Sequence, residues 1–380
     1  MNPSVKAYLE KRGHDLRIDL LRGFANWFIF LDHIPNDAVN LLTLRNFGFS
    51  GATDVFVFVA GYAAAIIYGK MAMERSFVVM ATRIFKRVWQ LYAAYVVLFV
   101  IYVDVIGNVA TQYATTELFD EYNVTGIVDH PTRTLMHGLL LQAKPLNLDA
   151  LQLFIALMAF LPPALWLMLR RPNLALAGSI ALYFAARHFD WSLPSFPTGS
   201  WYFNPFCWQL LFVLGTWFAL HGHQLTATLH RLPLLRIAAL AYLGLALAIT
   251  VAGHSPQLGS VLSDLGLDPI MPGDKENLPP LRVVHFLALA LVFSYLVPKD
   301  WSPLSWKILD PVMKGGEEWL SVFCIGVFLS FAGHFLLITG PNSLIMQVLV
   351  SVGGILVMTG VAYYISWSKR QDHRPGLAFH

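Results

Sequence analysis

Apolar residues fall in ten separated runs along this chain, at about residues 19–36, 50–69, 88–107, 148–169, 173–188, 205–222, 234–253, 282–298, 318–338 and 343–366. A helix crossing a bilayer needs roughly 17–25 such residues, and the fifth run, "NLALAGSIALYFAARHF", is the shortest. The pattern predicts an all-α, polytopic integral membrane protein with about ten transmembrane helices. The first run breaks the rule of the others. "RIDLLRGFANWFIFLDHIPND", residues 17–37, carries Asp19, Arg22, Asn26, Asp32 and His33 in an otherwise apolar stretch.

Composition agrees with membrane burial. Of 380 residues, 56% are hydrophobic and only 13% charged, about half the charge of a soluble domain. The net charge of +3 is small, and no basic block marks a nucleic-acid partner. Cys207 and Cys324 both lie in apolar runs, which argues against a disulfide framework or a Cys-based metal site. No small-residue cleavage site follows the basic N-terminus, so the first run reads as a retained helix.

Charge bias sets the orientation. With the N-terminus inside, 19 of the 26 Lys and Arg are cytoplasmic, six are external and Arg22 is intramembrane; the reverse would put those 19 outside, against the positive-inside rule. Both termini are therefore expected in the cytoplasm, 1–18 as the N-terminal segment and 367–380 as the tail of one domain spanning 1–380. Two long connections, 108–147 and 254–281, then face outward. Loops this long often form a lid or receptor surface, or a short helix across the bundle mouth.

On a helix at 100° per residue, Asp19, Arg22, Asn26 and His33 form one narrow stripe, while Leu20, Phe24, Phe28 and Leu31 cover other faces. Arg22 and His33 lie roughly 16–17 Å apart along the axis, Arg22 towards the cytoplasm and His33 towards the outside. Intramembrane charges cost about 2.5–3.5 kcal/mol each and usually face a bundle interior or an aqueous cavity. Asp19 and Arg22 could be a structural pair, but the whole stripe reads as a functional seam. His33 can exchange a proton near neutral pH, as a general base for a hydroxyl nucleophile must. Asp32 could orient it if the helix ends near Pro35; otherwise Asp54 or Asp149 could.

Other polar residues interrupt later runs. Arg83 and Arg87 in "RIFKRVWQLY" sit four apart on one face, either as positive-inside anchors or as a clamp for a phosphate-bearing ligand. Asn147 and Asp149 open the fourth run, as caps or site residues. Asn204, Trp208 and Gln209 open the sixth; with Trp201 and Tyr202, Trp208 reads as an interfacial-belt aromatic or part of a sugar-stacking platform. His285 and His334 read as satisfied core histidines. No zinc-spaced pair, Walker loop or G-x-S-x-G elbow is present.

Arg22, ten residues and then His33 on the first of ten helices resembles the signature of the membrane acyltransferase-3 superfamily, with "FVFVAGY" and "RIFKRVWQLY" resembling its next blocks. More narrowly, "RIDLLRGFANWFIFLDHIP", "NLDALQLF", "NPFCWQLLFVLG" and "WLSVFCIGVFLSFAGHFLL" are similar to the OpgC family, over about residues 15–370. The resemblance implies a multi-pass inner-membrane transferase that succinylates osmoregulated periplasmic glucans from a cytoplasmic acyl donor, succinyl-CoA. It makes His33 the catalytic histidine and Arg22 the donor-side charge. Ala60 stands where the wider superfamily often has Ser. The expected site is then His33 with Asp32 as catalytic residues, and Asp19, Arg22, Asn26, Asp54, Arg83, Arg87, Asp149, Asn204, Trp208 and Gln209 as donor- and substrate-binding residues. No metal or permanently bound cofactor is expected. The partners are acyl-CoA, a periplasmic glucan, membrane lipid, a second copy of the chain and glucan-biosynthesis proteins. The rival readings are a transporter or flippase for a polar glycan or glycolipid, and an acetyltransferase on the same acceptor.

Overall fold

The structure is a computed structural model that describes residues 13–35, 37–113, 122, 130–143, 147–196, 198–255, 257, 260, 264 and 275–372. Much of the two long connections, 108–147 and 254–281, and the ends 1–12 and 373–380 lie outside the described residues. The described chain is helical: α1 Leu16–Asp32, α2 Ala52–Glu74, α3 Phe77–Gln112, α4 Pro131–Leu139, α5 Asp149–Arg170, α6 Pro172–His188, α7 Pro205–His230, α8 Pro233–Gly253, α9 Pro280–Leu296, α10 Asp310–Glu317, α11 Trp319–Thr339 and α12 Leu344–Asp372. Among the described residues there are isolated β-bridges but no strand.

Ten of these helices fall on the ten apolar runs. Six of them, α2, α3, α5, α8, α11 and α12, are long and apolar enough to cross a membrane, which marks a membrane protein. Their surfaces say the same. Along α3 the buried positions Leu91, Tyr95, Leu98, Phe99, Tyr102 and Ile106 follow helical spacing, yet Val97, Val100 and Ile101 on the outward face are apolar and exposed. On α8 only Ala239, Ala246 and Ile249 are buried, and Leu240, Leu245, Leu247 and Val251 face out. Apolar residues on both faces suit lipid, where a soluble surface helix would present a polar one.

Two boundaries differ from the sequence reading for physical reasons. The first helix stops at Asp32 instead of 36, because Pro35 disfavours helical geometry in the residue before it and cannot donate a backbone hydrogen bond. The third helix starts at Phe77 and runs for 36 residues. Its exposed cations, Arg83 and Lys86, lie on this N-terminal extension of the apolar run, and Ser76 caps it by accepting from Val79 N–H.

Contacts divide the chain into two compact units: Val57–Leu235 with Pro269–Val284, and Gly13–Phe56 with Arg236–Asp268 and His285–His380. In the first, α3 packs on α5, α5 on α6, and α6 on α7. A methyl group at Gly61 would stand 2.1 Å from the Phe212 carbonyl oxygen, so α2 and α7 touch backbone to backbone. In the second unit α1 packs on α10 and α11, and α11 on α12. Phe30, Leu31, Ile34, Val322, Leu337 and Met358 form its core. Here too glycine sets the approach: a methyl group at Gly23 would meet the Val312 carbonyl, and one at Gly316 the Asp19 carbonyl, each at 1.9 Å.

Candidate active site

The polar stripe of α1 lies against α10 and α11. Asp15 caps the helix and takes two hydrogen bonds from the Arg17 guanidinium, at 2.8 and 2.9 Å. Asp19, 3% exposed, pairs with His14. Arg22 and Glu317 add their charges around it, and the Arg22 guanidinium lies 5.9 Å over the Trp319 ring. Asn26 is 1% exposed. Its amide donates to the Trp319 carbonyl at 3.2 Å and the Gly315 carbonyl at 3.4 Å, pinning the α10–α11 corner. Its Oδ1 is buried with no hydrogen-bond partner among the described residues. A buried unsatisfied acceptor costs about 1–3 kcal/mol, so it suits a ligand or solvent donor.

His33 sits where α1 ends, as its C-terminal cap. Its Nδ1 lies 2.6 Å from the Ile29 carbonyl oxygen. A carbonyl only accepts, so Nδ1 carries the hydrogen, and in the neutral ring Nε2 then carries the lone pair. That is the tautomer of a base working through Nε2. The imidazole is thus oriented through a backbone carbonyl, a partner absent from the acids considered above. Asp32 accepts from Thr43 Oγ1 at 2.5 Å and pairs with Arg45 at 3.2 Å. Asp54 accepts from Gly51 N–H at 2.8 Å and ties down the start of α2. His33, Asn26 and Ser330 share the lining of a cavity of about 10 Å³, about the size of one water.

The remaining expected residues belong to the other unit. Arg83 is exposed and Arg87 half-buried on α3, and Arg87 donates to Gln90 at 3.1 Å. Asp149 is the first residue of α5. Beside it Gln152 donates to Tyr95 Oη at 2.9 Å and to the Ala143 carbonyl at 2.6 Å, and Asn147 donates to Tyr102 Oη at 3.2 Å. Asn204 caps α7 by accepting from Phe206 N–H, and its amide donates to the Trp191 carbonyl and to Asn277 Oδ1. Trp208 is fully buried, with Nε1 donating to the Lys275 and Glu276 carbonyls and the Arg282 guanidinium 5.6 Å from the ring. This ring presents no open face for stacking a sugar, because burial encloses it. Gln209 exchanges hydrogen bonds with Ser179, accepting from its Oγ at 2.7 Å and donating to its carbonyl at 2.9 Å. The amide hydrogens of Asn204 and Gln209 are thus engaged with the protein.

The sequence reading brought Asp19, Arg22, Asn26 and His33 onto one face, and the structure adds residues it did not single out. Ser330 and Trp319 face the stripe from α11. Asp37, 3% exposed, accepts from Ser351 Oγ, while Gln347 accepts from Ala38 N–H at 2.9 Å. Single polar residues in an apolar run carry little signal until a partner is known. His285, 3% exposed, bonds to Ser50 Oγ at 2.8 Å among Phe49 and Tyr242, as a satisfied core histidine does. Among the described residues no group of three or more His, Cys, Asp or Glu offers a metal-ligand set.

The polar end of α1, the glycine-tight α10 and the histidine cap are covered by one comparison. A family model described as OpgC protein matches residues 14–370. The chain belongs to the OpgC family. OpgC membership brings a transferase role, and the matched span takes in every residue considered above. Comparison with curated proteins and with solved structures gives no match.

Proposed function

We propose that this OpgC-family protein transfers a succinyl group from succinyl-CoA to glucan hydroxyls on the periplasmic side of the inner membrane, with His33 as general base. The observation that carries the reading is the Nδ1 bond of His33 to the Ile29 carbonyl, which supports a basic Nε2 at the end of a polar stripe. A sugar O–H would give its proton to Nε2 as its oxygen attacks the thioester carbonyl carbon. The tetrahedral intermediate would then collapse with cleavage of the C–S bond. The departing thiolate would take the proton back from the imidazolium, so the histidine returns to its starting state. Arg22 is the cation proposed for the succinyl carboxylate. Arg83 and Arg87 are proposed, separately, as phosphate contacts for the CoA. Ten crossings with both termini cytoplasmic complete the proposal, supported by ten helices on ten apolar runs and by the charge bias.

The test is acyl transfer by purified protein in nanodiscs, with succinyl-CoA or acetyl-CoA and periplasmic glucan. Wild type is expected to make succinylated glucan. His33→Ala should lose about 10²–10⁴-fold in rate, the range that a positioned acid–base group contributes. Arg22→Ala should lose more activity with succinyl-CoA than with acetyl-CoA. Wild-type protein that releases CoA from neither donor yet moves glucan across vesicles would replace the transferase reading with transport.

A further inference from the structure

The first compact unit contains a cavity of about 420 Å³ that none of the proposed acyl-transfer residues line. Its walls come from α4 and the segment after it, and from the stretch before α7. His130, Arg133 and His137 stand three and four residues apart, one stripe of α4 and its cap. Gln142, Ser195 and Phe196 close the other sides. The walls are fastened together: Phe196 N–H donates to the Gln142 carbonyl at 2.8 Å, and Ser195 N–H to the Gly199 carbonyl at 3.0 Å. The His137 and Phe196 rings stack at 4.3 Å, 6° from parallel.

The groups on the walls select a ligand type. His137 Nδ1 is 2.6 Å from Gln142 Oε1, so the amide oxygen is occupied and its N–H₂ side remains as donor. Arg133 lies 5.7 Å over Phe196, with His137 stacked on the same ring. The one aromatic ring is therefore already covered, and a stacking platform for a neutral sugar is taken. Arginine, two imidazoles and an amide remain, and among the described residues no Asp or Glu lines the cavity. A guanidinium fork beside N–H donors fits a carboxylate bidentately. The volume, at the lower end of the range for ligand pockets, is large enough for a sugar bearing one.

We infer that this cavity is a binding site for a carboxylate-bearing glycan, such as an acceptor that already carries a succinyl group. The ligand's identity rests on the glucan reading above; the anion preference rests on the cavity itself. Its lining segments lie in connections that the charge bias assigns to the outer side. Such a site would retain partly modified glucan for further rounds.

The test uses the full-length protein in nanodiscs of neutral phosphatidylcholine, titrated with methyl glucoside and with its succinate half-ester. The half-ester is expected to bind about tenfold more tightly, one charge-assisted contact's worth. Arg133→Gln should abolish that advantage, His33→Ala should keep it, and the melting temperature should not move because Arg133 is exposed. Arg133→Lys, with the charge but not the fork, should keep the fold and part of the preference. Equal binding of the two sugars, or a preference that survives Arg133→Gln, overturns the inference. Acyl transfer without the preference sinks this site alone. The preference without acyl transfer from any donor sinks only the His33 reading.

Discussion

One of the two tightest approaches between α1 and α10 makes a demand on one residue that can be measured. A methyl group at Gly316 would stand 1.9 Å from the Asp19 carbonyl oxygen and 2.7 Å from its Cα. Both are backbone atoms that no rotamer can move aside. Reaching even a tight contact near 3.0 Å forces the helices apart by about 1 Å in a close-packed interface. That opening stretches the two Asn26 amide bonds, already 3.2 and 3.4 Å, beyond hydrogen-bond range. Overpacking costs about 1–3 kcal/mol, and a stranded buried amide donor about 1–3 kcal/mol. The two overlap, so Gly316→Ala should destabilise by about 3 kcal/mol, lowering the melting temperature by about 6–12 °C at 2–4 °C per kcal/mol. Its neighbour is the control. At Gly315 the nearest atom to an added methyl is Gly23 Cα at 3.9 Å, ordinary contact, and alanine favours the helix by up to about 1 kcal/mol. Thermal unfolding of detergent-solubilised protein, followed by tryptophan fluorescence, reads both. Equal melting of the two variants would refute the backbone-contact argument.

Asn204→Ala removes the α7 cap and the bonds to Trp191 and Asn277; a loss of about 1–3 kcal/mol is expected, read as a lower melting temperature. On α1 the variants should divide into two kinds. Asn26→Leu and Asp32→Ala should lower the melting temperature, since each removes bonds that tie helix to helix or helix to loop. His33→Gln should leave melting within about 2 °C of wild type, because the ring is half-buried and glutamine keeps an amide donor for the Ile29 carbonyl, while transfer falls by about 10²–10⁴-fold. Comparing turnover with melting for the three variants reads the division; a His33 variant that melts early at full turnover would reverse it.

The helices were legible because a chain buried in lipid needs continuous apolar runs, and such runs survive any tertiary arrangement. The end of α1 was less legible, although Pro35 carried the signal. The tight glycines were not: Gly315 and Gly316 lie in a short stretch that sequence assigns to a connection, and only the packed partner shows why no side chain fits. Asn204, Trp208 and Gln209 stood out as polar or aromatic residues in an apolar run. Their partners, Ser179 and residues 275–277, lie 30 to 73 positions away. Without those partners, a residue holding the fold reads the same as one awaiting substrate. Gly61 is similar, since its reason is the Phe212 carbonyl of α7.

These distances also answer why α1 keeps so many polar side chains. Asp19 is matched by His14, Asn26 by two carbonyls at the α10–α11 corner, and Asp32 by Thr43 and Arg45. Each is the local solution to burying polar groups where water is scarce. His33 differs in kind. Its Nδ1 lies 2.6 Å from a neutral backbone carbonyl of its own helix, that of Ile29. On the proposed reading, the bond to the Ile29 carbonyl would orient the ring for its role as base. On that reading the chemistry of α1 sits at its C-terminal cap, and Asn26 behind it fixes the helix against the α10–α11 corner.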